Sequence, residues 1–154
     1  MRLKDKVAII TGGGQGIGKA EAMRFAQEGC AVMVAQRNMS VAEATAAEIK
    51  AKGGIAAAWG VDVQVPEQVE AMVNKTLETF GKINILVNNA AFFGGIGYKR
   101  WDTWTLEEWQ RSFMTNLVGS WQCAKAVVPH MRKAGKGKII NTYSTTANMG
   151  FPGL

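Results

Sequence analysis

Residues Val7–Gly18, VAIITGGGQGIG, decide the fold of this chain. The apolar run Val7–Ile10 predicts a short buried strand, and five of the next eight residues are glycine. We expect a helix to follow over Ile17–Glu28. Glycine lets an anion such as a pyrophosphate approach the backbone, and a helix amino terminus attracts that anion through free N–H groups and the positive end of its dipole. The stretch therefore predicts a strand, a phosphate-binding turn and a helix.

Two common nucleotide-binding patterns do not fit this turn. The pattern G-x-G-x-x-G fails because a start at Gly12 puts Ile17 at its last position, and a start at Gly14 fails in the same way. The pattern G-x-x-x-x-G-K-[ST] nearly fits from Gly13, but its last position is Ala20, which lacks the magnesium-binding hydroxyl. The later apolar strand also leads into asparagine instead of a metal-binding aspartate. The sequence therefore disfavours a P-loop triphosphatase.

The pattern that fits is T-G-x-x-x-G-I-G over Thr11–Gly18, which resembles the cofactor loop of the short-chain dehydrogenases/reductases. The resemblance continues along the whole chain, because further segments match the family pattern in order and spacing. It implies that a dinucleotide binds at this loop, with cofactor-binding residues Gly12, Gln15, Gly16, Ile17 and Gly18.

Composition and length set the outer limits. The chain has 154 residues, 47% of them hydrophobic, which is enough for one domain with its own core. Its polar start, Met1–Lys6, is not typical of a signal peptide, and no apolar stretch approaches the roughly 18 residues of a membrane span. We therefore expect a cytoplasmic protein with no membrane partner. Cys30 and Cys123 lack metal-ligand spacing, so we expect reduced core thiols and no metal site.

The net charge of +6 is most concentrated over Arg132–Lys138. These cations lie where a long helix is expected to end, so they complement the negative end of its dipole, and Gly135 provides a C-cap. This interpretation is favoured over nucleic-acid binding. Four of the five tryptophans lie between Trp101 and Trp121. We expect them to pack in the core and loops instead of stacking on bases.

Short strand-like runs alternate with helical stretches along the chain. Helical spacing follows Pro66 up to Gly81, and Thr105–Glu108 matches a capping box that opens a helix running to about Lys133. Strands are expected at Val7–Thr11, Ala31–Ala35, Ile55–Gly60, Asn84–Asn88 and Lys138–Thr142. This alternation predicts an α/β fold with a doubly wound, Rossmann-like parallel sheet of order 3-2-1-4-5. The sheet stops after the fifth strand, and the cofactor is expected in the crevice where the order reverses.

The resemblance also implies cofactor contacts beyond the glycine loop. Asp62 and Val63 follow the third strand, where the family contacts the adenine. Asn88–Ala91, NNAA, is similar to the N-N-A-G that follows strand four in the family. This similarity implies that Asn88 braces the sheet and that the loop through Ala90 lies along the cofactor. Alanine at position 91 departs from the usual glycine.

Two active-site residues are implied in the same way. Asn116 lies where the family keeps an asparagine in the long helix, holding a water of the proton relay. Ser144 follows the fifth strand and matches the serine that holds the substrate oxygen. Apolar residues after the fourth strand could line a substrate pocket or pack the loop, and the sequence leaves both readings open: Phe92, Phe93, Ile96, Tyr98 and Trp101.

The end of the second strand bears on cofactor choice. Sites that prefer NAD place an acidic residue about 20 residues past the glycine loop, to bind the ribose 2′-hydroxyl. Here the segment is Gln36–Asn38, which has no carboxylate, and Arg37 offers a planar bidentate donor for a 2′-phosphate. The segment favours NADP, with NAD as the alternative if Gln36 or Asn38 binds a bare ribose.

The family's acid/base pair, Tyr-x-x-x-Lys, has no match in this chain. The two tyrosines are Tyr98 and Tyr143, and the residues four positions later are Asp102 and Ala147. The loss of a positioned acid/base costs about 10² to 10⁴ in rate. We therefore expect residues 1–154 to form a single dinucleotide-binding domain, incomplete at its C-terminal end and inactive alone.

Two functions follow as hypotheses. The first is the cofactor-binding part of an NAD(P)-dependent oxidoreductase that interconverts a small-molecule carbonyl and an alcohol. The second is a non-catalytic dinucleotide-binding module or a decayed enzyme. Family members commonly form oligomers through the long helix and the helix after it, and without the latter a homo-oligomer is in doubt. We expect the face around Ile85, Val87, Ile139 and Ile140 to be exposed, and the chain to be aggregation-prone or partly molten.

Overall fold

The computed structural model describes residues 1–93, 100–145 and 148–149. These residues form a sheet whose strands alternate with helices along the chain. The strands are β1 Val7–Thr11, β2 Ala31–Gln36, β3 Ile55–Gly60, β4 Ile85–Asn88 and β5 Lys138–Asn141. The α-helices are α1 Gly16–Gln27, α2 Met39–Ala51, α3 Pro66–Phe80, α4 Leu106–Phe113 and α5 Gly119–Lys133. A 3₁₀ turn, Trp101–Thr103, precedes α4, and a π-helical turn, Met114–Val118, joins α4 to α5.

All strand pairs are parallel, and the order is β3-β2-β1-β4-β5. The prediction of a doubly wound sheet of order 3-2-1-4-5 is therefore confirmed. Successive strands run outward from β1 in one direction as far as β3, and then in the other direction through β4 to β5. The order thus reverses between β1 and β4, so the loops that follow these two strands diverge. Such a divergence opens a crevice at the carboxyl ends of the strands.

Two apolar layers cover the sheet, one on each face. On one face, Ile9, Met33 and Leu86 pack with residues of α3 and α5. On the other, Ile10, Val32 and Val87 pack with residues of α1 and α2. Because successive side chains of a strand point to opposite faces, near-continuous apolar strands are what a sheet covered on both faces requires.

Most predicted helix boundaries agree with the structure. α3 begins at Pro66 and ends before Gly81, whose φ of +76° is the left-handed conformation that glycine adopts at a helix end. At the start of α4, Thr105 Oγ1 accepts from the Glu108 N–H and the Glu108 carboxylate accepts from the Thr105 N–H. The capping box is therefore present.

One helical prediction needs correction. The helix expected from Thr105 to about Lys133 is not uniform, because the π-helical turn Met114–Val118 interrupts it. A π turn holds one residue more than an α turn and recurs at functional sites. Asn116 lies within this turn, and its side chain bonds to the loop that follows β4. Apolar spacing alone does not reveal such a turn, since it changes the helix by a single residue.

The tryptophans also differ in part from expectation. Trp109 and Trp121 are more than half exposed, at 57% and 59%, so neither packs in the core. They belong to an exposed apolar row along α4, the π turn and α5: Leu106, Trp109, Phe113, Leu117 and Trp121. In the part of the chain that the structure describes, no helix is both long enough and apolar enough to cross a membrane.

The sheet face around β5 is only partly exposed. Ile85 and Val87 are buried, 7% and 1% exposed, because they pack in the layer that contains α1 and α2. The expectation that they are exposed is therefore wrong. All four residues of β5 are exposed, and Ile139 and Ile140 show 37% and 45% of their surface. An exposed apolar edge strand is a template for association with other chains.

We expect Ile140→Lys to reduce aggregation of the 154-residue chain, because a charge on an edge strand opposes pairing with another strand. The free energy of unfolding should change by less than about 0.5 kcal/mol, as for other exposed positions. Light scattering during a thermal ramp, combined with circular dichroism, measures both quantities.

Ile55→Lys is the matched control. Ile55 is 61% exposed and lies on β3 at the opposite edge of the sheet, which α2 covers. A similar reduction in both variants would show that added charge alone, and not the β5 edge, controls the aggregation. A wild-type chain that unfolds sharply as a monomer would contradict the expectation altogether.

Candidate functional site

A cavity of about 610 Å³ lies at the carboxyl ends of the strands, where the sheet order reverses. Its walls are the turn before α1, the end of β2, the turn after β3 and the loop after β4. The structure brings most of the predicted cofactor-binding residues to this wall: Gly12, Gln15, Gly16, Ile17, Arg37, Asp62, Val63 and Ala90. Gly18 and Asn88 are not among the described lining residues.

The turn between β1 and α1 has the properties of an anion site. Gly12 and Gly16 have φ values of +65° and +53°, which favour glycine. A Cβ added at Gly16 would meet no atom within 4 Å, so that side of the turn is open. α1 begins without a side-chain cap from Gln15 and without an acidic residue in its first turn. The first N–H groups of a helix lack intrahelical partners, so a phosphate can bind them.

Thr11 and Asn89 join this turn to the loop after β4. The Thr11 hydroxyl accepts from the backbone N–H groups of Asn89 and Ala90, each at 3.1 Å, and donates to the Val87 carbonyl at 3.3 Å. The Asn89 side-chain amide donates to the Thr11 carbonyl at 3.1 Å. Sequence reasoning assigned no role to either residue. The signal for Thr11 is a hydroxyl at the end of an otherwise apolar buried strand.

Gly18 and Asn88 support the wall from behind. A Cβ at Gly18 would collide with the Asn89 side-chain nitrogen and with the Gly12 carbonyl oxygen, so the absence of a side chain lets α1 pack against both loops. Asn88 is 4% exposed, and its amide donates to the Ser120 carbonyl at 3.1 Å and to Asn141 Oδ1 at 2.9 Å. These two bonds join β4 to α5 and β5.

Arg37 and Asp62 line the part of the cavity that follows β2 and β3. Arg37 is exposed, and none of the described carboxylates forms an ion pair with it. One oxygen of the Asp62 carboxylate accepts from the Gln64 N–H at 3.0 Å, which shapes the turn before α3. Val63 is buried, 5% exposed. This part of the cavity therefore offers a cation, a carboxylate and the buried Val63.

Asn116 is not among the described lining residues of the cavity, but it bonds to Phe92, which is one of them. The Asn116 Oδ1 accepts from the Phe92 N–H at 2.7 Å, and its amide donates to Ser112 Oγ at 3.2 Å. The Arg111 guanidinium lies 4.2 Å from the centre of the Phe92 ring. Phe92, Phe93 and the π-turn residue Thr115 line the cavity. Asn116 thus holds the loop after β4 against the helix.

Ser144 lies three residues beyond the end of β5 and is exposed. The cavity wall formed by the described residues does not include it. Of the other predicted pocket residues, Ile96 and Tyr98 lie outside the described residues, and Trp101 begins the 3₁₀ turn.

The Glu48 carboxylate on α2 neutralises the lysine that follows the glycine turn. A hydrogen bond from Lys19 at 2.7 Å, with a second from Lys52 at 2.9 Å, lowers the pKa of Glu48 to about 2. The two side chains are 40% and 38% exposed, so this ion pair is weak and does not by itself bear on a P-loop role for Lys19. The sequence argument against a P-loop rests on Ala20, which lacks the magnesium-binding hydroxyl.

The two cysteines are remote from this chemistry. Both are buried and free, and burial raises the pKa of Cys30 to about 11 and that of Cys123 to about 12. Their thiols therefore stay protonated at neutral pH.

We expect Gly18→Ala to lower the free energy of unfolding by about 1–3 kcal/mol, because the added methyl group forces α1 away from Asn89 and Gly12. It should also weaken dinucleotide binding, since those contacts set the cavity wall. Chemical denaturation and a binding titration measure the two effects. Gly60→Ala is the control, because its added Cβ would meet only Met39 atoms at 3.5 Å or more. Equal effects of the two substitutions would contradict this account of Gly18.

Comparison with known proteins identifies the family to which this chain belongs. A family model described as short chain dehydrogenase matches residues 6–154. A short-chain reductase, NovJ, from Streptomyces niveus is 43% identical over 145 residues, which are 94% of this chain and 54% of the relative. A 3-oxoacyl-[acyl-carrier-protein] reductase from Synechocystis is 40% identical over 152 residues, 98% of this chain and 60% of the relative.

A solved structure matches with a TM-score of 0.90 at 35% identity. It is a 7α-hydroxysteroid dehydrogenase complexed with NADH and 7-oxo glycochenodeoxycholic acid. The match covers 99% of this chain and 58% of that protein, so the chain spans somewhat more than half the length of the relatives it matches. The sheet order, the T-G-x-x-x-G-I-G turn and these matches agree, and the chain belongs to the short-chain dehydrogenase family of oxidoreductases.

Proposed function

We propose that this chain is the cofactor-binding part of an NADP(H)-dependent oxidoreductase that interconverts a carbonyl and an alcohol. The observation that carries the proposal is the composition of the cavity. An open glycine turn and the Arg37 side chain line the same cavity. No acidic side chain stands at the end of β2, where a ribose 2′-phosphate would be repelled. Residues 1–154 act as one dinucleotide-binding domain in this proposal.

The described residues fit a dinucleotide along the whole cavity. Gly12, Gln15, Gly16 and Ile17 would bind the pyrophosphate through the backbone, and Arg37 would bind the 2′-phosphate. Asp62 and Val63 would contact the adenine, with Ala90 and its neighbours beside the remainder of the cofactor. When bound, the nicotinamide supplies the hydride chemistry. The chain's own residues would bind the cofactor, orient it and exclude water from it.

The substrate side has fewer groups. Ser144 would hold the substrate oxygen, and Asn116 would hold the loop after β4 and a water of the proton relay. Phe92 and Phe93 give the part of the cavity after β4 an apolar surface, which suits a small-molecule carbonyl or alcohol. The related 7α-hydroxysteroid dehydrogenase was solved with a 7-oxo bile acid, which is a ketone.

Proton transfer is the missing step within residues 1–154. Neither Tyr98 nor Tyr143 has a lysine four positions later, and a positioned acid/base contributes about 10²- to 10⁴-fold in rate. We therefore expect cofactor binding without turnover from the 154-residue chain. The alternative is a binding module whose function is not catalysis.

A titration with NADPH and NADH, followed by an assay with a panel of ketones and alcohols, tests the proposal. We expect saturable binding of NADPH, and no reduction by the 154-residue chain. A longer form of the protein that carries a Tyr-x-x-x-Lys pair should catalyse the reduction. Binding without reduction even then would favour the non-catalytic module, and no binding of either dinucleotide would refute both.

We expect Arg37→Ala to raise the dissociation constant for NADPH by about tenfold and to leave that for NADH almost unchanged, because the guanidinium interacts with the 2′-phosphate alone. Isothermal titration calorimetry with both dinucleotides measures the ratio. Arg132→Ala is the control, since this exposed arginine lies at the end of α5, away from the cavity. Parallel losses of NADPH and NADH affinity in the Arg37 variant would contradict the assignment.

A further inference from the structure

Thr45, on α2, makes a buried hydrogen bond to the glycine turn. Its Oγ1 donates to the Gly14 carbonyl at 3.0 Å, and the residue is 1% exposed. The residues on either side of Gly14, among them Gly12 and Gln15, line the cavity, whereas Thr45 does not. Val41, one helical turn before Thr45, does line the cavity, so the Thr45 hydroxyl holds the Gly14 carbonyl at a buried position just behind the cavity wall.

The turn packs directly on the first part of α2. A Cβ added at Gly14 would lie 2.8 Å from Val41 Cγ1 and 3.2 Å from Gln36 Cγ. The Gly13 N–H donates to the Ala35 carbonyl at 3.2 Å, which ties the turn to β2 as well. These contacts hold the turn against α2 and β2, and the Thr45 hydroxyl is the donor that the structure gives to the Gly14 carbonyl.

The direction of this carbonyl matters for an anion. A carbonyl oxygen carries partial negative charge and repels a phosphate, whereas the N–H groups of the same turn attract it. Without the Thr45 hydroxyl, the Gly14 oxygen would be a buried acceptor with no donor among the described residues, which is unfavourable. It would regain a hydrogen bond from water by turning toward the cavity, where the pyrophosphate is proposed to bind.

We propose that Thr45 is a positioning residue for the pyrophosphate, because its hydroxyl keeps the Gly14 carbonyl turned away from the cavity. This inference rests on the proposed function and deepens it. Thr45 acts through the turn and does not touch the cofactor. Its loss should therefore affect ligands that contain the pyrophosphate and spare ligands that occupy only the Arg37 end.

The test compares two ligands on the 154-residue chain carrying Thr45→Val. One is NADPH, and the other is adenosine 2′-monophosphate, which has the 2′-phosphate and lacks the pyrophosphate. We expect the dissociation constant for NADPH to rise about tenfold, the equivalent of one lost hydrogen bond to a buried acceptor. That for adenosine 2′-monophosphate should stay within about twofold, because its binding does not use the turn. If the wild-type chain binds NADH more tightly than NADPH, the pair is NADH and adenosine.

Thr76→Val is the matched control. Thr76 is also a buried threonine, 0% exposed, and its Oγ1 donates to the Met72 carbonyl at 2.8 Å within α3. This variant loses the same type of bond away from the turn, so it should leave both dissociation constants unchanged. Thr45→Ser keeps the donor and should retain NADPH affinity. If Thr45→Val does not fold, Thr45→Ala and Thr45→Ser form the decisive pair, since both lose the methyl group and only the serine keeps the hydroxyl.

Two results would overturn the role of Thr45: unchanged NADPH affinity in Thr45→Val or Thr45→Ala, or an equal loss for both ligands, which a general loss of structure produces. A wild-type chain that binds neither dinucleotide would instead refute the proposed function before any variant is made, and this inference with it.

Discussion

The Thr11 hydroxyl makes the interaction on which the rest of the site depends. The backbone pairing of β1 with β4 ends at Ile10 and Val87. The segments that follow these two strands separate beyond that point, because the sheet order reverses there. The hydroxyl bonds to Val87, Asn89 and Ala90 and so continues the connection where the ladder stops. The crevice can therefore open while the end of β1 and the loop after β4, on its two sides, stay joined through one side chain.

Much of the fold followed from local sequence. Apolar runs located the boundaries of the five strands to within one residue. Pro66, Gly81 and the Thr105 capping box marked helix boundaries, because these signals act over a few residues. The prediction of Ile85 and Val87 as exposed failed, since burial depends on which helices cover a strand. The π turn at Met114–Val118 was equally invisible to apolar spacing.

The residues that line the cavity could be predicted where they directly follow a strand of the sheet. The glycine turn, Arg37 and Asp62 reach one cavity because they follow parallel strands, whose carboxyl ends share an edge. The supporting residues could not be found in the same way. Thr11 and Asn89 are far apart in sequence, as are Thr45 and Gly14, and these partners meet only when the sheet has formed. A cofactor-binding role for Gly18 stays a prediction, and the structure adds a packing requirement, because a Cβ at this position would collide with Asn89 and Gly12.

The π turn has a consequence for how this helix can vary between relatives. Deleting its extra residue would rotate α4 by about 100° relative to α5, the angle of one α-helical residue. None of the residues of α4 is buried, whereas α5 buries Gly119, Gln122, Cys123, Val127 and Met131. Core packing therefore fixes the rotation of α5 alone. The outer aromatic surface of α4 can be turned to a different direction by a one-residue change in length, while the sheet and the core keep their arrangement.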